Sequence, residues 1–132
     1  MTFKRSAGET KILVIEDDTE LAEIVGTFLS TAGYKVVVES QAQVGIKRAK
    51  TFNPHLILLD FSMPGMDGYD VCAELKGDAR TANIPVVFLA GKDTHVDDSR
   101  SFQSGISLWV KKPFSCERLL DIIRIVLLAV GK

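Results

Sequence analysis

Three apolar segments of this sequence end directly on charged side chains. LILL (56–59) is followed by Asp60, ILVI (12–15) by three acids beginning with Glu16, and SLWV (107–110) by two lysines after Val110. A carboxylate at the end of a buried strand is costly unless a partner compensates its charge. Clustered acids repel one another, and a hard divalent cation such as Mg²⁺ would relieve that repulsion. A lysine nearby could neutralise the acids or hold an incoming phosphoryl group.

The elements that would position these charges alternate between strand and helix patterns. The predicted strands are 12–15, 35–38, 56–59, 86–90 and 107–110. The predicted helices are one with its apolar face at residues 21, 24, 25, 28 and 29 that stops near Gly33, then 41–50, 67–76, 94–103, and 115–130 with Ser115 as N-cap.

This (βα)₅ pattern predicts an α/β fold with a doubly wound, five-stranded parallel sheet covered on both faces. The expected strand order is 2-1-3-4-5, in which the chain reverses direction between strands 1 and 3. Ligands of such sheets bind at the carboxyl ends of the strands flanking that point. Glu16, Asp17 and Asp60 should therefore converge there, with Lys111 and Lys112 at the same edge.

Composition indicates one soluble globular domain. The chain has 132 residues, 46% of them hydrophobic and 25% charged, with a net charge of −1. This balance gives no field that would draw the domain to nucleic acid or to a membrane surface, so we expect neither partner. Residues 1–10 are predicted to form a flexible tail, and residues 11–130 the domain. The apolar stretch 122–130 is too short to span a bilayer.

Two cysteines, Cys72 and Cys116, lie far apart in sequence. They are expected to be free thiols in a reducing, cytoplasmic setting. A zinc site made with His55 and His95 is conceivable, but nothing in the spacing favours it.

Four motifs in this order and spacing identify a family resemblance: ILVIEDD, HLILLDFSMPGMDG, IPVVFLAGKD and WVKKPF. From about Lys11 to Val130 the chain resembles the receiver domain of a bacterial two-component response regulator. The resemblance implies the flavodoxin-like receiver fold. It also implies a phosphoacceptor module, rather than an enzyme, that receives a phosphoryl group from a sensor histidine kinase, a phosphotransfer protein or a small phosphodonor.

The resemblance assigns roles to the acidic residues. Asp60 corresponds to the phosphoacceptor, a nucleophile that forms an acyl phosphate. Asp17 corresponds to a direct Mg²⁺ ligand and Glu16 to one acting through water, while the backbone carbonyl of Ser62 corresponds to a third protein ligand. Asp18 is expected to cap the first helix instead.

The resemblance also assigns a phosphate-binding lysine and two switch positions. Lys112 corresponds to the lysine that pairs with the phosphoryl group, and its bond to Pro113 is often cis in the family. Trp109 occupies the position of the aromatic switch residue. Ala90 stands where the family normally has Thr or Ser, and the missing hydroxyl removes a hydrogen bond worth roughly 1.5–3 kcal/mol.

Two interpretations of Ala90 follow from the resemblance. The first is phosphorylation with atypical switching, through weaker coupling or altered kinetics. Gly91 adds a separate possibility, that a backbone N–H of its loop approaches the phosphoryl group closely. The alternative is a receiver-like interaction adaptor that works without phosphorylation.

One candidate contact surface, the α4–β5–α5 face, consists of the fourth predicted helix (94–103), the fifth predicted strand (107–110) and the last predicted helix (115–130). Residues 122–128 of the last helix are apolar apart from Arg124, and Ser107 and Leu108 replace acids that are common before the aromatic switch residue. This α4–β5–α5 face therefore favours an apolar contact with another copy or a neighbouring domain over a charged dimer.

Two other protein classes place chemistry at similar positions. A haloacid-dehalogenase-type phosphatase would carry a second acid where Ser62 stands. A flavodoxin-like FMN protein would carry a phosphate-binding loop where this chain has EDDTE (16–20), whose charges would repel a phosphate.

Overall fold

In the computed structural model, residues 9–91 and 106–130 are described, and within them five parallel strands form one sheet. The strands are β1 (Lys11–Ile15), β2 (Lys35–Glu39), β3 (Leu56–Asp60), β4 (Val86–Ala90) and β5 (Ile106–Lys111). Their order is β2-β1-β3-β4-β5, which confirms the predicted arrangement. The helices are α1 (Thr19–Thr31), α2 (Ala42–Phe52), α3 (Gly68–Lys76) and a C-terminal helix (Cys116–Val130). The helix predicted at 94–103 and residues 1–8 of the predicted tail lie outside the described residues.

The two faces of the sheet carry separate cores, because successive side chains of a strand point to opposite sides. Leu13 and Ile57 pack with residues of α2 and α3, whereas Val14 and Leu58 pack with α1 and the C-terminal helix. All five residues of β3 are buried. Each of its four aliphatic side chains contributes roughly 1.5–3 kcal/mol on burial, so the strand that ends in Asp60 is firmly anchored.

The described chain is already packed one residue before β1. Thr10 is buried, and its carbonyl accepts a hydrogen bond from the backbone N–H of Lys35 at 3.0 Å. Thr10 therefore packs against the sheet, whose first strand begins at Lys11.

The helix ends follow the capping signals in the sequence. Asp18 Oδ1 accepts a hydrogen bond from Leu21 N–H at 3.1 Å, and Ser115 Oγ accepts one from Arg118 N–H at 3.1 Å. After α1, Gly33 adopts a left-handed conformation with φ 102°, which confirms the predicted stop. These caps fix where α1 and the C-terminal helix begin, directly beside the ends of β1 and β5.

A small antiparallel hairpin follows β3, where the sequence predicts only a turn. Ser62–Met63 pairs with Met66–Asp67, and Gly65 turns the chain with φ 84°. The hairpin leads into α3, whose N-cap Asp67 accepts a hydrogen bond from Asp70 N–H at 2.9 Å. The loop after Asp60 is therefore a defined structure and not an open connection.

Among the described residues, no helix combines the length and apolar character needed to cross a membrane.

The two cysteines are both free, and they differ in burial. Burial raises the pKa of the Cys72 thiol to about 12, whereas Cys116 is partly exposed at the start of the C-terminal helix. We expect a thiol reagent at pH 8 to label one thiol in the folded protein and two after denaturation. Cys116→Ser should abolish labelling of the folded protein. Rapid labelling of that variant would show that Cys72 is accessible.

Candidate functional site

Three carboxylates meet where the strand order reverses. β1 and β3 pair in register, Ile15 beside Leu59, so Glu16 and Asp60 leave neighbouring strand ends. Oxygen atoms of Glu16, Asp17 and Asp60 lie within 4.8 Å of one another. Glu16 and Asp60 are buried, whereas Asp17 is exposed. The cluster therefore has a buried floor and one side open to solvent.

Lys112 reaches the same cluster from the end of β5. Its Nζ lies 2.7 Å from Glu16 Oε1 and 3.3 Å from Asp60 Oδ1. The backbone N–H of Lys112 donates to the carbonyl of Ala90 at 2.7 Å, and the bond from Lys112 to Pro113 is cis, as the resemblance implies. The sequence predicts that a lysine here could neutralise the acids, but it does not indicate that Glu16 is the nearer partner.

The close packing of these charges shifts the pKa values of Asp17, Asp60 and Lys112. The pKa of Asp60 is raised to about 8, chiefly by burial and further by the neighbouring carboxylates of Glu16 and Asp17. The pKa of Asp17 is lowered, chiefly because its carboxylate hydrogen-bonds with Asp60. Burial is the largest single influence on Lys112 and lowers its pKa, but its pairing with Glu16 and Asp60 outweighs burial and raises it.

These residues fit a hard divalent cation. Three carboxylates against one ammonium leave two negative charges in excess when all are ionised. Oε1 of Glu16 is buried and receives no well-directed hydrogen bond from the described residues, although the Lys112 ammonium is close. An all-oxygen donor set that is open on one side matches Mg²⁺, which binds few protein ligands and keeps several waters.

The β1–α1 and β3–hairpin loops are tied to the carboxylates. Glu16 Oε2 accepts a hydrogen bond from Asp18 N–H at 3.1 Å, and Asp60 Oδ1 accepts a long one from Ser62 N–H at 3.4 Å. Ser62 thus lies next to Asp60, in the loop where the resemblance expects a backbone ligand. Its side chain is exposed.

The two positions to which the resemblance assigns switching, Ala90 and Trp109, lie on adjacent strands. Ala90 is fully buried at the end of β4, beside Lys111 of β5. Trp109 is 37% exposed, and the Lys111 ammonium lies 5.9 Å from the centroid of its ring. No hydroxyl is available at Ala90, so the described end of β4 offers no side-chain donor to a phosphoryl group.

An aromatic cluster, which sequence reasoning missed, supports the loop after Asp60. The rings of Phe61, Tyr69 and Phe88 meet edge to face, with centroids 5.1 to 5.6 Å apart. Gly68 fits beneath them, since a Cβ there would lie 2.7 Å from the Phe88 ring. Its N–H donates to the Phe61 carbonyl at 2.7 Å. These residues lie too far apart in sequence for any periodic pattern to reveal the contact.

The zinc alternative gains no support. Among the residues that the structure describes, Glu16, Asp17 and Asp60 form the one group of three or more metal-ligating side chains close enough to share an ion. His95 lies outside those residues. The candidate metal centre therefore has carboxylate donors and no thiolate.

Solved structures share this architecture. The chain superposes on Vibrio cholerae CheY4 with a TM-score of 0.83 at 24% identity, covering 89% of this chain and 98% of that one. It superposes on the signal receiver domain of a signal transduction histidine kinase from Syntrophus aciditrophicus with a TM-score of 0.80 at 30% identity, covering 92% of each chain. The first match shows the fold alone, and the second adds sequence similarity.

Curated relatives and a family model identify the chain. It is 39% identical over 120 residues to the DNA-binding dual master transcriptional regulator RpaA of Synechocystis, which covers 89% of this chain and 48% of RpaA. It is 34% identical over 114 residues to the DNA-binding response regulator MtrA of Mycolicibacterium smegmatis, covering 86% and 49%. The chain thus spans about half the length of these relatives. The family model for the response regulator receiver domain matches residues 12–124. The chain belongs to the response regulator receiver domain family.

Proposed function

We propose that Asp60 accepts a phosphoryl group from the phosphohistidine of a sensor kinase or phosphotransfer protein, or from a small phosphodonor. Mg²⁺ would be held by Asp17, Asp60 and the Ser62 carbonyl, with Glu16 acting through water. The observation that carries this proposal is the convergence of three carboxylates and the Lys112 ammonium at one partly open point of the sheet edge. We further propose a cytoplasmic setting, in keeping with two free cysteines.

Phosphoryl transfer requires positioning and charge stabilisation more than acid–base groups. The Asp60 carboxylate attacks the phosphorus in line, and the bond from phosphorus to the donor's leaving atom breaks. Asp60 must be ionised for this step, and its raised pKa means that a proton is released first in the metal-free domain. Mg²⁺ supplies positive charge to the carboxylates and the phosphoryl oxygens when it is bound. The Lys112 ammonium exchanges its ion pairs with Glu16 and Asp60 for pairing with the phosphoryl oxygens.

Phosphorylation by acetyl phosphate tests this proposal directly. We expect intact-mass measurement with Mg²⁺ to show one added phosphoryl group, which hydroxylamine removes because an acyl phosphate is labile. Asp60→Asn should abolish the addition. Asp121→Asn, which removes an exposed acid on the C-terminal helix, is the matched control and should be labelled normally. Absence of labelling by acetyl phosphate and by histidine kinases would favour the adaptor.

We also expect phosphorylation of Asp60 to have only a weak effect on Trp109, since Ala90 has no hydroxyl to draw its loop toward the phosphoryl group. Beryllofluoride with Mg²⁺ mimics the phosphorylated state, and Trp109 is the sole tryptophan. We expect a small change in its fluorescence in the natural chain and a change at least about twice as large in Ala90→Ser, which gains the hydrogen bond. Ala90→Gly is the matched control without a hydroxyl. An equally large response in the natural chain would contradict weakened coupling.

Signal output is proposed to use the apolar part of the α4–β5–α5 face. Leu108 on β5 and Ile125 and Leu128 on the C-terminal helix are 41%, 59% and 66% exposed. Such side chains favour contact with another copy or a neighbouring domain. The DNA binding named for RpaA and MtrA is proposed to belong to the part of those proteins outside the match. This domain, with a net charge of −1, is not expected to bind nucleic acid.

A further inference from the structure

The outer edge of β2 is an open strand edge. Among the described residues, β2 lies at the end of the sheet and pairs with β1 alone. Lys35 N–H donates to Thr10, and the Glu39 carbonyl accepts from Glu16, both at 3.0 Å. Successive residues of a strand direct their backbone groups to opposite sides, so the N–H and C=O groups of Val36 and Val38 point away from β1. This edge is a template for another strand.

The sequence of β2, KVVVE, is complementary to itself in the antiparallel direction. We propose that β2 pairs with β2 of a second copy of this chain about a two-fold axis at Val37. Lys35 then lies opposite Glu39 of the second copy, and the reverse pair repeats this contact. Opposite charges that face each other across two strands are stabilising, whereas like charges are destabilising. A parallel pair in register would instead place lysine beside lysine and glutamate beside glutamate.

The backbone geometry agrees with this register. With Val37 on the axis, Val36 lies opposite Val38 of the second copy. Both residues direct their N–H and C=O groups outward, so each such pair exchanges two hydrogen bonds. A register shifted by one residue would place outward-facing groups opposite groups that already bond to β1. The charge pattern and the hydrogen-bond pattern therefore select the same alignment.

The side chains on the α1 side of this edge are also incompletely covered. A groove of about 460 Å³ runs between α1 and β2, and Val38 beside it is 39% exposed. A Cβ at Gly26 of α1 would lie 3.1 Å from Val38 Cγ2, so the helix approaches one side of this valine closely. In the proposed pair, Val36 of the second copy packs against the exposed part of Val38. The groove thus borders the new contact.

The proposed contact is small, and this sets the conditions for detecting it. A pair of five-residue strands buries less than the roughly 1,200–2,000 Å² of stable complexes, so association in the micromolar to millimolar range is expected. The proposed pairing of β2 with β2 of a second copy does not depend on phosphorylation of Asp60. It can be tested on the unphosphorylated chain.

Amide hydrogen exchange provides a residue-level test. The exchange of Val36 and Val38 N–H groups should slow about twofold to sixfold between about 20 μM and 1 mM protein, as the edge becomes paired and the unpaired fraction falls. Lys35 and Val37 already bond to β1 and should show no comparable dependence on concentration. Exchange of Val36 and Val38 that is independent of concentration, whether fast or slow, would overturn pairing with a second copy.

Charge reversal distinguishes self-pairing from any other occupant of the edge. Lys35→Glu and Glu39→Lys each place like charges opposite one another and should weaken self-association about tenfold in sedimentation equilibrium. The double variant and an equimolar mixture of the two single variants both restore opposite charges, so both should associate like the natural chain. A heterologous partner would show no such restoration.

Folding of the variants is a separate measurement. The Glu39 carboxylate lies 4.0 Å from Arg48, and an exposed pair of this kind contributes little stability. Circular dichroism and thermal unfolding should therefore be almost unchanged in both single variants. If the folded double variant associates no better than the single ones, the proposed register is wrong.

Discussion

Replacing Lys112 with methionine is expected to slow phosphorylation of Asp60 by acetyl phosphate about tenfold to hundredfold. The ammonium lies 3.3 Å from Asp60 Oδ1 and 2.7 Å from Glu16 Oε1, and it is the cation placed to pair with the phosphoryl oxygens. A hydrogen bond to a charged group contributes roughly 1.5–3 kcal/mol, which corresponds to that range of rates. Intact-mass measurement over time gives the rate.

Lys112→Met should slow phosphorylation without weakening the binding of Mg²⁺. The ammonium of Lys112 repels a divalent cation near Glu16 and Asp60, so its removal should leave the Mg²⁺ affinity unchanged or increase it. Isothermal titration calorimetry measures this affinity without any phosphodonor. Loss of both Mg²⁺ binding and phosphorylation would indicate that Lys112 only maintains the structure of the site.

Lys111→Met is the matched control for this experiment. The two lysines are adjacent, but Lys111 is exposed and its ammonium lies near the Trp109 ring. Its removal should change the phosphorylation rate less than about twofold, because an exposed charge is screened by solvent. Equal losses in both variants would show that general positive charge, rather than the position of Lys112, controls the reaction.

The sequence was sufficient to predict the sheet and the gathering of charges at its edge. Continuous apolar runs predicted the five strands, and parallel pairing then placed Glu16, Asp17 and Asp60 together. The reason is that strand order and strand ends alone determine which side chains share an edge. The same reasoning brought Lys112 to that edge without any knowledge of its contacts.

Contacts that depend on side-chain packing could not be predicted in this way. The hairpin of Ser62–Met63 and Met66–Asp67 is too short to show a hydrophobic period. The 2.7 Å pairing of Lys112 with Glu16 is one of several that the nearby acids could form, and only the packed structure distinguishes it from the others. The self-complementary charges of β2 were visible in the sequence, but they acquire meaning only once β2 is known to be an edge strand.

In the absence of Mg²⁺, the domain is expected to lose stability as the pH rises from 6 to 8.5. The pKa of Asp60 is raised to about 8 in the folded chain, chiefly by burial, against about 4 when unfolded. The folded state therefore holds the Asp60 proton more tightly than the unfolded state does. The stabilisation is complete below about pH 4 and is lost as the pH rises through about 8. Thermal unfolding at several pH values in a chelating buffer measures this loss.

Asp60→Asn isolates the contribution of this carboxyl group from other groups that titrate in the same range. The variant removes one charge from the cluster with Glu16 and Asp17, so we expect it to melt about 3–6 °C higher than the natural chain at pH 8.5 without Mg²⁺. At pH 6 the difference should be smaller, because Asp60 is then largely protonated. Mg²⁺ binds ionised carboxylates, and it should therefore stabilise the natural chain more at pH 8.5 than at pH 6. A natural chain that loses no more stability than Asp60→Asn over this range would show that repulsion at Asp60 does not strain the metal-free site. In that case the excess charge could no longer be the reason that the site takes a divalent cation.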